Sequence, residues 1–155
     1  MSTIDEKLAK LGYQLPDEAP PLANYVPAVI TQKSKLIFTA GHLPKNESGE
    51  IIVGKLGESI SNEEGYIAAK KAALATLGSI KSKIGSLDNI KKIVKLLVMV
   101  NATADFKEHP VIANGASDLF VEIFEDIGFH ARSAVGVASL PLGAAVEIDL
   151  VAEIN

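Results

Sequence analysis

Residues 93–100 constrain the fold of this chain more than any other segment. The run is rich in β-branched and apolar side chains, and Lys95 is its only charged residue. A strand with one face in water alternates polar and apolar residues, whereas a nearly continuous apolar run is typical of a strand buried on both faces. We therefore predict a central strand in a sheet that is covered on both sides.

Two segments with helical periodicity flank this strand. Residues 61–64 have the sequence of a capping box, which opens a long helix that Gly85 ends. A second helix is predicted over residues 110–127, with Gly128 as its stop. Steps of three and four place apolar residues on one stripe of each helix: Tyr66, Ala69, Ala73, Leu77, Ile80 and Ile84 in the first, and Ile112, Ala116, Leu119, Ile123 and Ile127 in the second. Each stripe predicts a helix that packs across a sheet.

Four further β-rich runs complete the pattern. Residues 28–32 and 35–40 predict a hairpin, because only two residues separate them. Residues 133–139 and 145–154 predict two closing strands, and the short loop between them suggests a second hairpin. The order ββαβ followed by αββ predicts an α+β fold with two helices packed on one face of a mixed sheet.

The N-terminal part differs in character from the rest. Residues 2–11 predict a short amphipathic helix, and the proline-rich residues 16–27 predict an extended connector. We therefore divide the chain into a helix and arm over residues 1–24 and a single domain over residues 25–155.

Composition excludes several classes of function. The chain has 155 residues, a net charge of -4 and no basic run longer than two lysines, so we expect one ordinary domain and no nucleic-acid partner. It has no cysteine and three scattered histidines, so we predict neither a metal nor a cofactor. It shows no basic apolar leader and no apolar run near the roughly 20 residues of a membrane span, so we expect a cytoplasmic protein without a membrane partner.

The helices cover one face of the predicted sheet. The opposite face must either pack against a partner or remain exposed to solvent. The closing strands carry apolar residues on both faces: Val135, Val137, Val146, Ile148 and Leu150. We therefore predict a homo-oligomer in which this open face is buried between subunits.

Arg132 is the only arginine among 15 basic residues, and it heads an almost wholly apolar segment. A guanidinium is a planar fork that grips a carboxylate through two parallel hydrogen bonds, whereas a lysine supplies only a point charge. Two interpretations stay open. Arg132 forms a structural salt bridge to Glu147 or Asp149, or it binds a carboxylate ligand in a cleft completed by a neighbouring chain, with Glu147 beside it to position water.

Several motifs resemble those of the reactive-intermediate deaminase family, also called the RidA, YjgF or L-PSP family. Arg-Ser at 132–133, Leu-Pro at 140–141 and Val-Glu-Ile at 146–148 resemble its C-terminal motif, and Phe-Thr-Ala-Gly-His-Leu-Pro at 38–44 resembles its second-strand motif. Tyr25 lies in a segment similar to the family's N-terminal tyrosine segment, and Asn114 falls where the family places an asparagine. The N-terminal helix resembles a longer branch that is often labelled endoribonuclease L-PSP.

The resemblance implies a chorismate-mutase-like fold and a homotrimer with three clefts between subunits. Family members hydrolyse enamines and imines such as 2-aminoacrylate and 2-iminopropionate to a 2-oxo acid and ammonia. By this resemblance Arg132 would hold the substrate carboxylate and Glu147 would orient the attacking water. The cleft would be lined by Tyr25, Gly41, Asn114 and Ala134. The chain has Ala40 where many deaminases have serine and Ala134 where they often have cysteine, so its pocket would be more apolar.

Three classes of function therefore remain. The one we favour is an enamine/imine hydrolase acting on a small carboxylate-bearing metabolite. A non-catalytic trimer that senses such a carboxylate would share the same cleft. A ribonuclease, which the branch label suggests, would need a basic groove and a histidine pair or a metal. We interpret His42 as a partly exposed loop residue, His130 as a cap at the start of a strand and His109 as a surface residue.

Overall fold

The computed structural model describes residues 3–18, 20–21 and 23–155, which form three helices and one five-stranded sheet. The helices are α1 (Ile4–Lys10), α2 (Asn62–Ile84) and α3 (His109–Phe124), and the strands are β1 (Ala28–Thr31), β2 (Leu36–Thr39), β3 (Ile90–Asn101), β4 (Ala131–Val137) and β5 (Val146–Ile154). The strand order is β1-β2-β5-β3-β4. Only β3 and β4 pair in parallel within the described sheet, which confirms the predicted mixed α+β architecture.

Local signals set the helix boundaries. Ser61 accepts a hydrogen bond from the backbone N–H of Glu64, and the Glu64 carboxylate accepts one from the backbone N–H of Ser61, which confirms the capping box. The helix ends at Gly85, whose φ of 84° lies in the left-handed region. Helix α3 ends earlier than predicted, because Glu125 has a φ of 54° and the chain continues as a 3-10 turn.

The hairpin predicted between the last two strands is wrong. Strand β4 pairs in parallel with β3, whereas β5 pairs antiparallel with β3 on its other side and also with β2. The segment β3–α3–β4 is a crossover through a helix, which is the connection that parallel neighbours require. Residues 140–143 therefore carry the chain past the end of β3 instead of closing a hairpin.

The two faces of the sheet differ in their surroundings. Every second residue of β5 is buried on the side of α2 and α3, including Val146, Ile148 and Leu150. These three residues therefore do not contribute to the open face, contrary to the prediction. The open face instead carries Glu147 and Asp149 of β5 and exposed apolar residues of the flanking strands, among them Phe38 and Val135 with 43% and 42% of their surface accessible.

Helix α1 confirms the predicted N-terminal helix and is attached to the rest of the molecule. Its Leu8 is buried in the same core as the sheet and the long helices. Lys81 of α2 donates to Asp5 at 2.8 Å. None of the described helices is long and apolar enough to cross a membrane.

Candidate functional site

Glu147 lies directly against Gly41. Residue His42 forms a β-bridge with Ile148, with N···O distances of 2.7 and 3.0 Å, and this bridge brings the preceding glycine beside the Glu147 side chain. A Cβ atom at Gly41 would overlap the carboxylate and lie 2.8 Å from its Cδ atom. A side chain at position 41 would push the Glu147 carboxylate out of this position, so glycine allows the carboxylate to lie here.

The Glu147 carboxyl group lies in an environment that favours its protonated form. Burial raises its pKa, and the neighbouring charge of Asp149 raises it further. Burial also raises the pKa of Asp149. No lysine or arginine of the described residues forms an ion pair with either carboxylate. A carboxyl group with a raised pKa both accepts and returns a proton readily, which suits it to general acid–base chemistry.

Arg132 projects from β4 towards α3. Its Nη1 atom donates to Asn114 Oδ1 at 2.8 Å and to Ser117 Oγ at 3.1 Å. Throughout the described ranges, no carboxylate lies within salt-bridge distance of its guanidinium. The structural salt bridge to Glu147 or Asp149 is therefore not formed within the chain. One edge of the guanidinium is anchored by neutral oxygens. No acidic side chain in the described part of the chain neutralises its charge.

A hydrogen-bonded relay supports Arg132 from behind. His130 Nδ1 lies 2.6 Å from the Gly128 carbonyl oxygen, which can only accept, so Nδ1 carries a proton. The other ring nitrogen of neutral His130 then accepts from the Ser117 hydroxyl at 2.9 Å. Burial lowers the pKa of His130, and the charge of Arg132 lowers it further. The neutral imidazole thus fixes Ser117, which in turn accepts from Arg132.

The other predicted site residues fall into two groups. Ala134 faces the same side of β4 as Arg132, two residues further along, and packs against the core. Tyr25, with 51% of its surface accessible, borders the same cavity as Gly41. One group is therefore Arg132, Asn114 and Ala134, and the other is Tyr25, Gly41 and Glu147. The structure does not bring the two groups together within one chain.

His42 is held more firmly than the sequence suggested. Its Nδ1 atom donates to the Ala40 carbonyl oxygen at 2.8 Å, and its Nε2 atom lies 2.7 Å from Ser79 Oγ. Burial lowers its pKa below the ordinary value of 6.5. His42 is thus partly exposed, as predicted, and hydrogen bonds fix both of its ring nitrogens.

Metal-binding geometry is not found among these residues. No group of three or more histidine, aspartate or glutamate side chains in the described part of the chain is arranged to hold a metal ion. The two groups present a guanidinium and an amide on one side, and a phenol and a carboxyl group on the other.

Comparisons with known proteins identify relatives along the whole chain. The sequence model of a family described as "YjgF/chorismate mutase-like, putative endoribonuclease" matches residues 5–154. Protein TCP17 of Trypanosoma cruzi is 45% identical over 153 residues, which cover 98% of this chain and 94% of that protein.

Two solved structures are similar over nearly their full length. A protein of unknown function from Agrobacterium tumefaciens is 36% identical with a TM-score of 0.89, covering 99% of this chain and 94% of that one. A structure from Shewanella oneidensis described as a "putative endoribonuclease" is 33% identical with a TM-score of 0.93, covering 99% and 100% of the two chains.

Proposed function

The chain belongs to the YjgF/chorismate mutase-like family, and we propose that it hydrolyses small enamines and imines that carry a carboxylate, such as 2-aminoacrylate and 2-iminopropionate. The products are a 2-oxo acid and ammonia. The alternative that shares the same residues is a carboxylate-binding protein without turnover.

The proposal rests on the hydrogen bonds and the charge environment of Arg132. Its Nη1 atom is anchored by Asn114 and Ser117, and no acidic side chain of the described residues neutralises it. A partly accessible guanidinium that has no acidic partner is well suited to bind an anion. A ligand carboxylate supplies that charge and accepts hydrogen bonds from the fork.

The separation of the two residue groups supports a cleft between subunits. Arg132 pairs with Leu96 on one side of β3, and Glu147 pairs with Met99 on the other side. Their side chains also point to opposite faces of the sheet. A closed ring places one surface of each subunit against a different surface of its neighbour, so it can bring the Arg132 group of one chain to the Glu147 group of the next. We therefore propose a homotrimer with three such clefts.

The reaction in such a cleft needs only positioning and proton transfer. With the carboxylate held by Arg132, water oriented by Glu147 attacks the imine carbon while the nitrogen takes a proton. The resulting carbinolamine loses ammonia as its hydroxyl proton leaves, so one imine and one water give one 2-oxo acid and one ammonia. The raised pKa of Glu147 lets it accept the proton of the water and return it to the nitrogen.

Two substitutions relative to the common family pattern favour the non-catalytic alternative as a second candidate. Ala40 and Ala134 supply no hydroxyl or thiol to the pocket. A pocket that has lost polar groups at the amine end of the substrate still binds its carboxylate.

Release of ammonia from 2-iminopropionate tests the proposal. The imine is generated in the assay by oxidation of alanine, and ammonia is measured against the spontaneous rate. We expect the protein to accelerate release in proportion to its concentration. Binding of pyruvate without acceleration would establish the sensor instead. Absence of both would reject the two candidates, and cleavage of RNA by the same preparation would support the ribonuclease.

A further inference from the structure

A cavity of about 220 Å³ opens beside the Glu147 group. It shares Tyr25 and Gly41 with that group and extends away from them, between the N-terminal arm and helix α2. Its walls include Pro16, Pro20, Pro21, Ala75, Ser79 and Leu142. The cavity is thus a continuation of the candidate cleft that the reaction itself does not use.

The arm packs closely against helix α2 at Pro16. At Gly78 of α2, a Cβ atom would lie 2.6 Å from the Pro16 carbonyl oxygen. Only a glycine at this position lets the arm lie so close to the helix. Pro20 and Pro21 have a fixed φ, which limits the backbone freedom of these two residues.

Most of the surface that lines the cavity is apolar, although the charged residues Asp17, Glu18 and Lys45 also border it. Both ring nitrogens of His42 are engaged, one with the Ala40 carbonyl oxygen and the other with Ser79. The prolines, Ala40 and Ala75 contribute apolar lining around His42. Such a lining favours a hydrocarbon group over a charged one.

Leu142 stands at the rim in an unfavourable conformation. Its φ is 58°, a region that leucine rarely adopts, and 71% of its surface is accessible. Both features cost free energy in the isolated chain, and such outliers cluster at ligand-binding positions. A bound apolar group would cover this side chain.

We infer that the cavity is a subsite for a large apolar side chain of the substrate, so that the preferred substrates are 2-imino acids with an extended aliphatic or aromatic side chain. The inference rests on the proposed function. An engineered cavity of about 150 Å³ binds benzene, so a cavity of about 220 Å³ accommodates a group of that size. The carboxylate would lie at Arg132 of the neighbouring subunit, and the side chain would extend under the arm.

Calorimetric titration with two 2-oxo acids tests the inference on the intact protein. Pyruvate and 2-oxohexanoate share the carboxylate and the ketone, and they differ by three methylene groups. Each buried methylene tightens binding by about fourfold. We expect 2-oxohexanoate to bind at least roughly tenfold more tightly than pyruvate. Equal affinities would overturn the inference and leave the proposed function intact. Failure of both acids to bind would also overturn the inference, and only together with no acceleration of ammonia release would it overturn the proposed function as well.

Two variants change the cavity from opposite sides. Ala75→Met fills it from α2, and Leu142→Gly removes its rim while relieving the positive φ, so this variant retains the fold. Both should bring the affinity for 2-oxohexanoate close to that for pyruvate and leave pyruvate binding within about twofold. Ser82→Met is the matched control, because Ser82 is exposed on α2 outside the cavity. An unchanged preference for 2-oxohexanoate in both cavity variants would place its side chain elsewhere and overturn the inference.

Discussion

Arg132 and Glu147 lie on opposite faces of the sheet and on strands that flank β3 from opposite sides. Arg132 is in register with Leu96, and Glu147 is in register with Met99, three residues further along. Three residues of a strand span about 10 Å, and two strand spacings add about 10 Å at right angles, so the two Cα atoms are roughly 14 Å apart. A small carboxylate held by one of these side chains is therefore out of reach of the other in the same chain.

Arg132→Lys tests whether the planar guanidinium of Arg132 binds the ligand carboxylate. The charge is kept, but the planar pair of donors is lost, so affinity for a 2-oxo acid should fall by about 10- to 100-fold. The melting temperature should change by only a few degrees, because no ion pair of the described residues depends on Arg132. Calorimetry and thermal unfolding measure the two quantities. Lys91→Arg on the exposed surface is the control, and it should bind as the parent does. Unchanged binding in Arg132→Lys would contradict carboxylate binding through the paired donors of the guanidinium.

Asn114→Asp tests the missing counter-charge. The Asn114 oxygen already accepts from Arg132 Nη1 at 2.8 Å, so an aspartate there would neutralise the guanidinium without moving it. We expect weaker binding of 2-oxo acids and a higher melting temperature. Asn114→Ala removes the anchor without adding charge, and it should weaken binding less. If Asn114→Asp bound these acids as tightly as the parent chain, the charge of Arg132 would not be what recognises them.

Glu147→Gln separates the hydrolase from the sensor. Glutamine keeps the shape beside Gly41 but cannot take a proton, so turnover should fall by roughly 10²- to 10⁴-fold while affinity for a 2-oxo acid stays within a few fold. Ammonia release and calorimetry are measured on the same preparation. Tighter binding with unchanged release would mean that Glu147 only competes with the ligand for positive charge and is not the catalytic group. A sensor would show no release above the spontaneous rate in either form.

The pH dependence of stability tests the relay behind Arg132. The pKa of His130 is lowered from 6.5 by burial and by Arg132, so the unfolded chain binds more protons between the folded-state pKa and 6.5. The contribution of neutral His130 to the free energy of unfolding is therefore complete above about pH 6.5. It is lost as the pH falls towards the folded-state pKa. The positive charges of Lys92 and Arg132 act on His130, and both lower its pKa.

The difference in free energy of unfolding between the parent chain and His130→Gln isolates this effect. His42, Glu147 and Asp149 titrate in both chains and cancel in the difference. Urea unfolding at one protein concentration should show that the advantage of the parent shrinks as the pH is lowered from about 7.5 to 5. A difference that stays constant or grows on acidification would show that His130 is not held neutral.

Much of the fold was predictable because its signals are local. The capping box at Ser61 and the stop at Gly85 fix α2 within the chain itself, and the apolar run within β3 identifies an interior strand. The neighbours of β5 were not predictable. A loop of four residues fits a hairpin equally well, and only the packing of the crossover helix α3 decides that β4 and β5 lie on opposite sides of β3.

The candidate site was likewise predictable only in part. Arg132 was singled out because its residue type is unique in the chain, and Asn114 was found by resemblance. Ser117, which links Arg132 to His130, was missed because a serine on a helix carries no signal by itself. Its spacing of three residues from Asn114 places the two on the same face of α3, and this was the only available clue.

Mixing two inactive variants tests the central claim most directly. Arg132→Lys subunits keep Glu147, and Glu147→Gln subunits keep Arg132. If each site takes the arginine from one chain and the glutamate from the next, random reassembly of equal amounts restores about a quarter of the sites. We predict ammonia release from 2-iminopropionate at about a quarter of the parent rate, whereas each variant alone stays near its own low rate. No recovery on mixing, with the parent chain remaining active after the same reassembly, would contradict a site shared between subunits.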